Sequence, residues 1–108
     1  MKTLRRYEIL VPLLFDDGSA AVSEALLAQT FAELRAKFGA VSREIQPVQG
    51  SWEHQGVSYR DLTRFFVDVP DLPEYVNFFQ DFKQTLKQRF DPVEFWITSY
   101  LWASSKSH

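Results

Sequence analysis

The alternation of apolar and polar positions divides the chain into six elements. Tyr7, Ile9, Val11 and Leu13 occupy every second position of residues 7–15, the period of a strand, and Asp16-Asp17-Gly18 follows as a turn cluster. Leu27, Phe31, Leu34 and Phe38 then recur at spacings of four, three and four, which stacks them on one face of a helix. Ser23 stands before that helix as an N-cap, and Gly39 follows it where a left-handed glycine ends a helix. Arg35 and Lys37 suit the negative end of its dipole. Residues 43–54 read as extended, interrupted by Pro47 and Gly50, and Gln55-Gly56 separates them from a long strand at 57–69. A two-residue hairpin loop there sets His54 opposite Val57 and Trp52 opposite Tyr59. The next helix is predicted over 73–90, with Pro73 in its first turn and Tyr75, Phe79, Phe82, Leu86 and Phe90 along one side. Asp91-Pro92 stops it. A last strand over 93–102 sets Phe95, Ile97, Ser99 and Leu101 on one side and Trp96, Thr98, Tyr100 and Trp102 on the other, leaving 103–108 as a polar tail that frays.

The order strand, helix, strand, strand, helix, strand is that of a ferredoxin-like βαββαβ α+β fold, with a four-stranded antiparallel sheet and two helices on one face. One such domain accounts for residues 1–108. The right-handed crossover rule makes the first and third strands central. Pro12 cannot donate to a ladder, so it is expected near a strand end or a bulge. Aromatics fall on both sides of the strands: Tyr59, Phe65 and Val67 against Leu62 and Phe66 in the third, and three rings on one side of the last. An exposed sheet face of that kind is adhesive. A homodimer through the open sheet face, or a pocket for a small-molecule ligand, is the expected way to cover it.

Composition narrows the chemistry. The chain has 108 residues, 12 Lys+Arg against 14 Asp+Glu, a formal charge of −2, no Cys and two His. A near balance of charge argues against nucleic acid and anionic membranes as partners. The basic and glycine residues that lead into an RNA-binding aromatic strand are missing from residues 59–66. Lys83, Lys87 and Arg89, offset by Asp81 and Glu74, read as a solvated helix face. Lys2, Arg5 and Arg6 before an apolar run imitate a secretion signal, but Glu8, Pro12 and Asp16-Asp17 interrupt it. With no window near the roughly 18 apolar residues of a spanning helix, a soluble, cytoplasmic protein is expected. Without Cys there is no disulfide scaffold, thiol nucleophile or thiolate metal site. Only His54 and the terminal His108 offer imidazoles, and Asp16-Asp17-Gly18 lacks the alternating oxygens of a calcium loop, so neither a metal nor a cofactor is expected.

The densest set of chemical groups is the hairpin: Trp52, His54, Tyr59, Arg60 and Asp61, with Glu53 beside them. His54 and Asp61 are candidates for a base and its orienter, and Arg60 for a carboxylate or phosphate clamp. Strand alternation turns Arg60 away from Tyr59 and Asp61, so all three converge only across a bulge. The competing reading is structural: a Trp52–Tyr59 pair that holds register, with the charges in solvent.

Phe38-Gly39, Gln49-Gly50-Ser51-Trp52 and Gly56-Val57-Ser58-Tyr59-Arg60-Asp61 together resemble a set of small uncharacterised bacterial proteins. In that set a helix ending in Phe-Gly leads to a Gly-x-Trp hairpin and a Tyr-Arg-Asp strand. The resemblance runs from Tyr7 to the last strand and carries no activity. The topology is also similar to dimeric α/β-barrel proteins, which include cofactor-free monooxygenases and isomerases. A homodimeric small-molecule- or protein-binding domain without catalysis is the expectation these observations support, and a small cofactor-independent enzyme of dimeric-barrel type is the alternative.

Overall fold

Strand β1 (Lys2–Phe15), helix α1 (Glu24–Phe38), strands β2 (Ser42–His54) and β3 (Val57–Val69), helix α2 (Pro73–Phe90) and strand β4 (Trp96–Ser104) follow one another along the chain. The computed structural model describes residues 2–54 and 56–104, apart from the side chains at 2, 46–52, 54 and 104. The strands form one antiparallel sheet in the order β2-β3-β1-β4, with β1 and β3 central, which is the ferredoxin-like arrangement. Among the described residues no helix is long and apolar enough to cross a membrane.

Local signals set the ends of the elements. The Ser23 hydroxyl accepts from the Leu26 N–H at 3.3 Å, and Gly39 closes α1 with φ +78° while its N–H donates to the Arg35 carbonyl. Pro12 is followed by a register slip: Pro12 pairs with Leu62, and Leu14 with Asp61, so the ladder accommodates the missing donor. The hairpin register is as predicted, Trp52 opposite Tyr59 and His54 opposite Val57, with Gly56 at φ +80°.

Period two sorts each strand into two faces. Tyr7, Ile9 and Val11 of β1 and Phe65, Val67 and Val69 of β3 are buried beneath the helices. Leu27, Thr30 and Leu34 meet them from α1, and Phe79, Phe82, Leu86 and Phe90 from α2. The α1 face is therefore rotated from the predicted stripe: Phe31 and Phe38 flank it, and Thr30 lies at its centre, its hydroxyl returned to the Leu26 carbonyl at 2.9 Å. Fully burying side chains of this size contributes about 1.5–3 kcal/mol each.

Three expectations need correction. β1 begins at Lys2 rather than at residue 7, because Arg5 and Arg6 find acids on neighbouring segments, Asp71 and Asp68, each at 2.7 Å. β4 begins at Trp96 and continues to Ser104, paired with Lys2, so the tail expected to fray from 103 starts as strand. The Val93 N–H is held by the Phe90 carbonyl at 2.8 Å and the side chain is buried, which keeps 93–95 at the end of α2 instead of in the sheet. Finally, Arg89 is not part of a solvated face. Its guanidinium spans to α1, donating to Thr30 Oγ1 at 3.0 Å and to Glu33 Oε2 at 2.7 Å.

Candidate functional site

The hairpin residues do not assemble as one centre. Tyr59 is buried and its ring stacks on Phe15 at 5.7 Å, which makes it a core residue that ties β3 to β1. Two slips bracket the position expected to need a bulge: Phe15 pairs with Tyr59 and Leu14 with Asp61, leaving Arg60 unmatched on β3, while residues 48–51 of β2 stand against Arg60 alone. Arg60 is exposed and reaches the Asp16–Gly18 turn, and Asp61 is half-buried. In that turn Asp17 Oδ1 accepts from the Ser19 N–H and hydroxyl, at 2.8 and 2.6 Å, which lowers its carboxyl below the ordinary range. The side chains of Trp52 and His54 lie outside the described residues.

The open face of the sheet is more polar than its aromatics imply. Arg6 and Glu8 of β1 lie between Arg64, Phe66 and Asp68 of β3 and Thr98, Tyr100 and Trp102 of β4. Arg6 grips Asp68 through two hydrogen bonds of 2.7 and 2.8 Å, and Arg64 binds Glu8 and Glu44. The Tyr100 hydroxyl donates to Glu8 and the Trp102 indole N–H to Asp68, each at 3.0 Å. The Phe66 ring is sandwiched by the Arg6 and Arg64 guanidinium groups at 4.5 and 4.2 Å. Arg64 holds the Glu8 carboxyl below its usual range and Arg6 does the same for Asp68. These charges satisfy one another, which suits a structural network.

A trough between α2 and β4 sets charged and apolar side chains side by side. At its wider end is a recess of about 460 Å3, lined by Lys83, Lys87, Asp91, Glu94, Phe95 and Trp96. Lys83 also lines a second, smaller recess of about 180 Å3 against Tyr7, Val76, Phe79, Ile97 and Ser99. The Tyr7 ring stacks on Phe79 at 4.2 Å and 10°, and its buried hydroxyl has no hydrogen-bond partner among the described residues. Burial pushes the Tyr7 phenol upward, so it stays neutral and keeps its proton to donate. Arg5 borders this end, bridging Asp71 at 2.7 Å and the Ser99 hydroxyl at 3.2 Å. None of Tyr59, Arg60 and Asp61 lines either recess.

Sequence reasoning read Tyr7 as one of the alternating positions of a strand and Lys83 and Lys87 as part of a solvated face, and so missed the trough. Its only signal in the sequence is that the uncharged β4 and the lysines of α2 occupy adjoining edges of the predicted fold. Compared with known proteins, the chain matches no family model, no curated protein and no solved structure.

Proposed function

We propose that this chain is a binding domain without catalysis, and that the α2–β4 trough takes a small molecule with an apolar body and an anionic head, such as a short aromatic or aliphatic carboxylate. The observation that carries this reading is Tyr7, which lines the smaller recess and whose buried hydroxyl has no hydrogen-bond partner among the described residues. Leaving such a group unpaired costs about 1–3 kcal/mol, a penalty that a ligand oxygen would remove. Val76, Phe79 and Ile97 supply apolar walls for the body, and Lys83, which lines both recesses, supplies positive charge. A few polar groups set among apolar and aromatic walls are the usual make-up of a small-molecule site.

Titration of the 15N-labelled protein with benzoate and hexanoate tests the reading, with benzyl alcohol and hexanol as uncharged controls. Saturable shifts concentrated at the amides of Tyr7, Phe79, Lys83 and Ile97, stronger for the acids than for the alcohols, are expected. Shifts scattered over the surface, or none up to millimolar acid, would overturn it.

A further inference from the structure

The arginines that pair with acids are not held equally. Arg6 makes two bonds to Asp68, Arg43 two to Glu24 and Arg89 two to Glu33, while Arg64 binds both Glu8 and Glu44. Arg5 makes one bond to a carboxylate, from Nε to Asp71 Oδ1 at 2.7 Å, and its other goes to a neutral hydroxyl, Ser99 Oγ, at 3.2 Å. A guanidinium can take a carboxylate through two parallel bonds, so Arg5 is the paired arginine with capacity to spare. Asp71 stands in the connector between β3 and α2, and its side chain is 45 % exposed. A pair so open to water adds little to stability.

This loosely held cation stands beside the group on which the ligand reading turns. Arg5 and Tyr7 are two residues apart on β1 and share its helix-side face, and Tyr7 lies opposite Ser99 in the ladder. Tyr7 and Ser99 both line the smaller recess. Burial raises the Tyr7 phenol, Arg5 pulls it down and Asp71 pushes it up, so both members of the pair lie within electrostatic reach of its hydroxyl. Ser99 accepts from Arg5 and keeps its own proton to donate.

We propose that Arg5 is the residue that holds the ligand's carboxylate, and that Asp71 is an internal carboxylate that occupies Arg5 until the ligand displaces it. Binding then exchanges one carboxylate for another on the guanidinium. The pair given up is an exposed one of little worth. The incoming oxygens also accept from the Tyr7 hydroxyl, which Asp71 leaves unpaired, and relieving a buried donor is the larger effect. This assignment rests on the ligand-binding reading and adds to it the residue that holds the head and the group that regulates it.

Benzoate dissociation constants, read from amide titrations of the full chain, test the exchange. Asp71→Asn should tighten benzoate about threefold, and Glu74→Gln, the same change of charge at the start of α2, should not tighten it. Arg5→Gln should weaken benzoate by about tenfold or more. Arg60→Gln removes a cation that lines neither recess and should leave the affinity unchanged. Benzyl alcohol, which has no charge to exchange, should bind all of these variants alike. The Nε–H signal of Arg5, identified by its loss in Arg5→Lys, reports the bond itself: it should move with benzoate in the wild type and stay in place with benzyl alcohol. Equal benzoate affinities in wild type, Asp71→Asn and Arg5→Gln would overturn the proposal while leaving the ligand site standing, and so would an Arg5 signal that benzoate does not move. Tightening by Glu74→Gln equal to that by Asp71→Asn would also overturn it, because a general field rather than an exchange would be at work. A wild type that binds no benzoate removes the site itself, and the proposal with it.

Discussion

The two sides of the sheet spend their polar groups in opposite ways. On the open face, Arg6 is matched to Asp68 and Arg64 to Glu8 and Glu44, and even Tyr100 and Trp102 donate into the same carboxylates. On the helix side, beside the α2–β4 trough, the Tyr7 hydroxyl is buried without a partner among the described residues. The face with more charge is thus the one with less chemistry to offer. Saturated groups hold a structure together, and a buried group left unsaturated is what a ligand can use.

Adjacent residues on the two sides give the largest test. Phe65→Ala removes a fully buried ring and should cost about 3–5 kcal/mol, whereas Phe66→Ala removes a half-buried ring held between two guanidinium groups and should cost about 1–2 kcal/mol. Urea unfolding measures both, and equal losses would erase the distinction between the sides. Next in size is Arg64→Ala, which leaves Glu8 without its cation and should cost about 2–3 kcal/mol. A loss below about 0.5 kcal/mol would show the network to be an ordinary surface set of ion pairs.

Acid should dismantle the open face first. Glu8 and Asp68 titrate below their ordinary range in the fold, so their stabilisation is complete above about pH 5 and is lost as pH falls from there through those lowered values. The pH dependence of the urea midpoint should therefore steepen below that point, and Glu8→Gln should flatten it. An unchanged slope in the Gln variant would remove Glu8 from the account.

Much of the fold was legible because period and punctuation agree. Ser23 and Gly39 bracket α1, Asp91-Pro92 ends α2, and the Gln55-Gly56 spacing predicted the Trp52–Tyr59 and His54–Val57 pairs that the ladder contains. The start of β1 was hidden because Arg5 and Arg6 look like solvent-facing residues until Asp71 and Asp68 are brought beside them. The same register brings Glu8 to Arg64, positions 56 residues apart in the chain, so the open face read as aromatic when it is a charged network with rings set in it. Of the hairpin candidates, Tyr59 is in the core and Arg60 faces solvent; the clustering along the chain does not persist in space. Tyr7 was legible as an alternating strand position but not as an unpaired donor. That depends on which acceptors the packed α2 leaves within reach.

The most direct test is the unfolding free energy of wild type and Tyr7→Phe, each measured with and without saturating benzoate. If the hydroxyl is a ligand group held at a cost to the free protein, Tyr7→Phe should gain about 1 kcal/mol without benzoate and lose most of the stabilisation that benzoate confers on wild type. A Tyr7→Phe variant that is less stable alone, or is stabilised by benzoate as much as wild type is, would contradict the account.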